Sequence, residues 1–285
     1  MNITLREGKP EDAAACGRIC YDAFTKINTD HNFPPDFPDV ETAVGLLSMT
    51  LAHPGFYVVV AERDGQIVGS NVQDERCAIA GIGPITVDPH QQNSGVGRQL
   101  MLHLLERSSA RGFAGVRLVQ AAFHNRSLSL YTKLGFDPRE PLSCVQGVPP
   151  AAHIPGYTVR PAVESDLQAC SQVCMRVHGH TREGEVRDAI HQGTAVVVDH
   201  GGRITGYATG LAFFAHAVGE TNNDIKAMIG AAPSFGGSGI LVPTRNSELL
   251  RWCLMNGLGI VQPMTLMTVG LYNQPQGAYL PSILY

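Results

Sequence analysis

A chain of 285 residues, 44% hydrophobic and 16% charged, has a globular composition and is long enough for two domains of ordinary size. A formal charge of −4 gives no electrostatic ground for nucleic acid or an anionic membrane as partner. No apolar run approaches the roughly 20 residues of a membrane span, and Met1–Glu7 lacks the pattern of a signal peptide, so the expected location is the cytoplasm.

Taken in chain order, the pattern predicts a strand over about 2–6, helices over 10–25 and 40–52, a hairpin over 56–72 turning at Gly65, and a strand over 82–88. A helix over 95–111 follows, with Val96, Leu100, Leu104 and Leu105 at helical spacing and Gly112 as its stop. A strand over 114–120, a helix over 126–134 and a strand over 136–147 close the first half. Asn125 is placed to cap the last of these helices, Leu130 and Leu134 share its face, and Gly135 ends it. Strands alternating with helices give an α/β (mixed α+β) class, with a central mixed sheet flanked by helices.

The plan then repeats. Thr4-Leu5-Arg6 and the helix from Asp12 through Cys16 to Cys20 line up at constant offset with Thr158-Val159-Arg160 and Asp166 through Cys170 to Cys174. Val58–Val60 with Gly65–Gly69 likewise match Val196–Val198 with Gly202–Gly206. Two matches in one order imply a duplication joined near the Pro-rich stretch 147–155, with domains over 1–150 and 151–285. Seven cysteines, an odd number with no Cys-x-x-Cys pair, argue against a disulfide framework and a zinc ribbon. His178-Gly179-His180 has no carboxylate or thiolate at ligand spacing, so no metal is expected.

The segment 82–98 carries the most chemistry. An apolar strand runs into Asp88-Pro89-His90-Gln91-Gln92-Asn93-Ser94-Gly95-Val96-Gly97-Arg98, a polar loop with two glycines that opens directly into a helix. Glycine lets backbone N–H groups approach a ligand, and the start of a helix favours a phosphate. No Gly-Lys-Ser/Thr follows, and the third glycine of the dinucleotide fingerprint is missing.

Val87-x-Pro89 followed by Gln92-x-x-Gly95-x-Gly97 and an apolar helix resembles motif A of the GNAT superfamily of N-acetyltransferases. Asn125 followed by a helix ending Tyr131-x-x-x-Gly135-Phe136 resembles its motif B. The resemblance covers residues 3–147 well and the rest weakly. It implies acetyl-CoA as co-substrate, with its pyrophosphate on Gln92, Asn93, Ser94, Gly95, Val96, Gly97 and Arg98. It implies further that the strand residues Ile85 and Val87 bond the pantetheine arm, that Asn125 adds to the cofactor site, and that Tyr131 protonates the departing thiolate. No general base is assigned. Asp88 fits the turn, Asp74 and Glu75 are the nearest acids upstream, and a water chain serves as well.

In this family the connection between the first two helices usually selects the acceptor. Here it reads Asn28-Thr29-Asp30-His31-Asn32-Phe33-Pro34-Pro35-Asp36-Phe37-Pro38-Asp39, three acids among aromatics and prolines. A pocket for a cationic amine and a stiff surface loop both fit it. In the second half the place of motif A is expected at Gly239–Ser247, where the glycine loop is absent, so this half is read as a degenerate copy without coenzyme A. Packing on the first half, closing the acceptor site and a homodimer contact remain open roles for it. Tyr272, Tyr279 and Tyr285 suit such a surface or a buried role, and Arg245 is placed to meet an anion at a helix start. The leading function is acetylation of a primary amine on a small molecule. Acetylation of a protein N-terminus or lysine, and a non-catalytic acetyl-CoA sensor, are the alternatives.

Overall fold

The run Val58-Val59-Val60 is buried on both sides, as a strand must be when helices cover both faces of its sheet. The structure, a computed structural model, describes residues 3–284. Its first half comprises β1 (Ile3–Glu7), α1 (Ala13–Asp30), α2 (Val40–Ala52), β2 (Phe56–Arg63), β3 (Gln66–Asp74), β4 (Ile79–Val87), α3 (Val96–Ala110), β5 (Gly115–Ala121), α4 (Asn125–Lys133) and β6 (Asp137–Gln146). Val58, Val60 and Val72 pack against Cys16 and Cys20 of α1, and on the opposite face Val59, Val68 and Ile82 pack against Leu100 and Leu104 of α3. The predicted elements all form. Helix α1 runs five residues past the expected end at residue 25, with Lys26 and Asp30 paired at 2.7 Å across its last turn.

The second half contains β7 (Tyr157–Pro161), α5 (Leu167–His178), α6 (Glu183–Gln192), β8 (Val196–His200), β9 (Arg203–Ala208), β10 (Ala217–Gly219), α7 (Asn222–Ala231), β11 (Ile240–Pro243), α8 (Ser247–Met255), β12 (Gly259–Gly270) and β13 (Ala278–Leu280). The repeat reaches individual contacts. Arg6 donates to both carboxylate oxygens of Asp12 at 2.7 and 2.9 Å, and Arg160 does the same to Asp166 at 2.6 and 2.9 Å. Each aspartate also accepts the backbone N–H three residues before it, from Lys9 at 2.8 Å and Val163 at 2.9 Å.

The sheets do not divide at residue 150. One runs β1-β2-β3-β4-β5-β12-β6-β11 and the other β13-β10-β9-β8-β7. Strand β12 of the second half inserts between β5 and β6, and β6 in turn pairs with β11. Each half therefore lends its long late strand to the other. Where the halves meet, Arg76 bonds Asp188 of α6 at 2.8 Å. Glu185 accepts from Arg182 at 2.7 and 2.8 Å and pairs with His216 at 3.2 Å, while Tyr207 holds the other ring nitrogen at 3.1 Å.

This order corrects the placement of motif A in the second half. By position in the repeat, β10 and α7 correspond to β4 and α3, and the segment Gly239–Ser247 (β11 leading into α8) corresponds to β5 and α4. Tyr279 is buried in β13, Tyr272 is partly buried with Arg117 5.3 Å from its ring, and Tyr285 lies outside the described residues. Among the described residues no helix is long and apolar enough to cross a membrane.

Candidate active site

Strands β4 and β5 start as parallel neighbours and then part. Their ladder is Ile79–Gly115, Ala80–Val116 and Gly81–Arg117, and no pair follows among the described residues. Past it, β4 from Ile82 to Val87 pairs with β3, and β5 to Ala121 pairs with β12. The sheet thus opens as a fork, exposing strand polar groups on facing edges, which an extended ligand can satisfy. Ile85 and Val87 line one arm and are partly exposed.

At the tip of β4 the chain turns into α3. Asp88 is spent on this turn, its carboxylate accepting from His90 N–H at 2.8 Å. Asn93 and Gly95 adopt φ of 64° and 85°, the left-handed region, which glycine enters without the Cβ clash of other residues. The loop lies at the surface, and Ser94 Oγ donates to Gln91 O at 2.5 Å. From Gln92 through Asn93, Ser94, Gly95, Val96 and Gly97 to Arg98, no backbone N–H meets an acceptor among the described residues. Gln99 N–H is the first to do so, bonding Gly95 O at 3.1 Å. Seven free N–H groups at the positive end of a helix form a receptacle for an anion. Arg126 crosses its mouth, donating to Gln92 Oε1 at 3.2 Å and Asn93 Oδ1 at 2.9 Å. Sequence reasoning missed Arg126; its position next to Asn125 at a helix start was the available signal.

Helix α4 closes the back of the site. A Cβ on Gly97 would lie 3.7 Å from Val87 and 3.9 Å from Leu130, so the loop helix, strand arm and α4 converge there. Tyr131 is 6% exposed and shares a cluster with Val96, Ile82 and Leu118. The last two residues stand immediately past the final β4–β5 pair. Burial pushes the Tyr131 hydroxyl well above the ordinary phenol range, so it stays protonated. Asn125 does not cap α4: His124 holds that position, and Asn125 is the first helical residue, its carbonyl accepting from Ser129 Oγ at 2.8 Å.

The two acids upstream of the loop are occupied. Asp74 accepts from Arg76 at 2.9 Å and Glu75 from Arg107 at 2.6 Å. Arg245, expected to meet an anion at a helix start, meets the carboxylate of Glu140 at 2.6 and 3.0 Å. Asn28 and Asp30 belong to the end of α1, so the acceptor connection shortens to residues 31–39. Phe33 stacks on Phe123, just beyond β5, with ring centroids 4.1 Å apart.

The start of α7 shows the opposite arrangement. Asp224 accepts from Thr221 N–H and Oγ at 2.8 Å each and from Thr205 Oγ, at 1% exposure. Here a carboxylate of the chain itself meets the start of the helix.

Comparison with known proteins agrees with this geometry. The family model described as an acetyltransferase (GNAT) domain matches residues 54–138. The mycothiol acetyltransferase of Nocardia farcinica is 37% identical over 65 residues, 23% of this chain and 22% of that protein. The match therefore spans about a fifth of that relative. A Pyrococcus horikoshii protein named as an acetyltransferase superposes with TM-score 0.73 at 17% identity, over 99% of this chain and 92% of its own. A tandem GNAT protein from the clavulanic acid biosynthesis pathway superposes with TM-score 0.56 at 12% identity, over 94% and 98% of the two chains. Residues 54–138 thus match the acetyltransferase (GNAT) domain, within a fold of two units that exchange strands and that superposes on the tandem GNAT protein over nearly its whole length.

Proposed function

We propose that the protein transfers an acetyl group from acetyl-CoA to a primary amine, with the chemistry confined to the first half. The observation that carries this is the run of seven unpaired N–H groups over residues 92–98, beside a fork between β4 and β5. A pyrophosphate matches the receptacle in charge and in its many acceptor oxygens. The fork, with Ile85 and Val87 on one arm, suits the extended, amide-bearing pantetheine, whose N–H and C=O groups continue a strand ladder.

Coenzyme A would bring the acetyl thioester to the fork; the chain supplies the rest. An N–H near Val87 would polarise the acetyl carbonyl, and Tyr131 would donate its proton to the departing sulfur. The dry surroundings of Tyr131 keep that proton in place until a thiolate forms. The relative from Nocardia farcinica is named for mycothiol, which supports a small molecule over a protein as acceptor. Asp224 at the start of α7 supports the reading that the second half holds no coenzyme A: its carboxylate meets the N–H end of the helix and repels a phosphate.

The test is thiol release from acetyl-CoA across a panel of primary amines, with Tyr131→Phe beside the wild type. The expected result is turnover with at least one amine and a kcat lowered roughly 10²–10⁴-fold in the variant. Unchanged kcat removes Tyr131 from the proton's path, and acetyl-CoA binding without turnover on any amine favours a sensor.

A further inference from the structure

One partly buried carboxylate near the fork has no cation to answer it. The acids of comparable burial elsewhere are neutralised: Asp12 by Arg6, Asp74 by Arg76, Glu75 by Arg107, Asp166 by Arg160, Glu185 by Arg182. Asp224 is saturated by two hydroxyls and a backbone N–H. Asp36, in the connection between α1 and α2, has neutral donors alone among the described residues: Gln262 Nε2 at 3.0 Å and Ser238 Oγ at 3.4 Å, both on its Oδ1, with the Asn28 amide nearby.

Gln262 and Ser238 both come from the second half. Gln262 lies in β12, the exchanged strand, at 2% exposure. Its Oε1 meets no donor among the described residues. A buried amide with one end committed and the other unused costs stability unless a ligand completes it. The place is right for a ligand of the fork. The residue after Gln262, Pro263, accepts from Ala122 N–H at 3.0 Å at the open end of β5. Three residues before Asp36, Phe33 is stacked on Phe123 at that same end.

We infer that Asp36 and Gln262 form the acceptor subsite, holding a primary ammonium between the carboxylate and the amide oxygen, with Phe33 and Phe123 as the apolar wall for its carbon skeleton. This rests on the acetyl-transfer reading. The carboxylate and the unused amide oxygen of two hydrogen-bonded side chains suit a group with three N–H donors and no acceptor, and the charge of the ammonium replaces the missing counter-ion. The second half thereby takes part in acceptor recognition without holding cofactor. Burial raises the Asp36 carboxyl above the usual carboxylate range, against the opposing pull of its hydrogen bonds, which narrows its gap to an amine.

The proton count closes. Asp36 takes one proton from the ammonium and later returns it to water, leaving a neutral amine. The amine nitrogen bonds the acetyl carbon as the carbon–sulfur bond breaks, and the sulfur leaves with the bond pair. Tyr131 protonates that sulfur and is recharged by the second proton the nitrogen sheds. The products are an amide and a free thiol.

The test uses the full chain with coenzyme A bound and two probes of one shape, phenethylamine and 2-phenylethanol, followed by calorimetry. The wild type is expected to bind the amine about tenfold or more tightly than the alcohol, and Asp36→Asn to abolish that preference. Gln262→Leu, which leaves the carboxylate, is expected to weaken the amine several-fold. Affinity for coenzyme A itself stays within about twofold in both variants and reports that they are folded. Equal binding of amine and alcohol, no binding of the amine, or an unchanged preference in Asp36→Asn overturns the inference. Loss of coenzyme A binding in the wild type overturns the acetyl-transfer reading instead.

Discussion

Substituting Gly97 by alanine separates what the fold needs from what a ligand needs. Gly97 is the second residue of α3, and its φ is not in the positive range. The added Cβ would meet Val87 at 3.7 Å and Leu130 at 3.9 Å, ordinary van der Waals contact. Alanine therefore fits the unliganded protein, and helix propensity favours it by up to about 1 kcal/mol. In a protein of this size that is a rise in Tm of roughly 2–4 °C at most. A pyrophosphate gripped by the N–H groups of residues 92–98, as proposed, would change the balance, because its oxygens would come within contact distance of the Gly97 Cα. A methyl group there displaces one charge-assisted hydrogen bond, about 1.5–3 kcal/mol, or roughly 10- to 100-fold in Kd for acetyl-CoA. Thermal melting and isothermal titration on the same sample read both quantities. An unchanged or higher Tm with weakened acetyl-CoA is expected. An unchanged Kd would refute the close backbone approach, and a large fall in Tm would refute the packing argument.

Two further outcomes follow from the rest of the molecule. Burial lowers His180 and His216 to about 4, and His178 is also driven well down. The unfolded chain protonates these rings near pH 6.5 and the folded chain only below that, so their stability is complete above about pH 6.5 and lost towards pH 4. Tm is expected to fall by several degrees between pH 6.5 and 4.5; a flat or rising Tm contradicts it. A fragment of residues 1–150 leaves β5 and β6 without the strand that separates them. It is expected to aggregate or to lack cooperative unfolding, and a monomer with a sharp melting transition would show that β12 is dispensable.

Much of the fold was readable because local patterns carried it. Leucines at helical spacing in α3, the valine runs of β2 and β8 and the paired Arg–Asp turns of the two halves each need only near neighbours. The phosphate loop was readable for the same reason, since glycine and helix start are adjacent in sequence. Strand exchange was not, because nothing in 137–146 or 259–270 states that β12 lies between β5 and β6; pairing partners are a tertiary choice. The misplaced motif A in the second half has the same origin. Strand β10 is three residues long, too short to stand out by periodicity, and the longer β11–α8 segment drew the alignment. Asp36 was visible as an acid in a loop, but its partners Gln262 and Ser238 lie more than 200 positions away.

In the proposed function one half of this chain binds acetyl-CoA while the other, with Asp224 at its equivalent helix start, does not. Isothermal titration of the 285-residue chain with acetyl-CoA reads this through the stoichiometry. One molecule bound per chain is expected. A value of two would place cofactor in the second half, and no binding at all would leave the loop over residues 92–98 without its ligand.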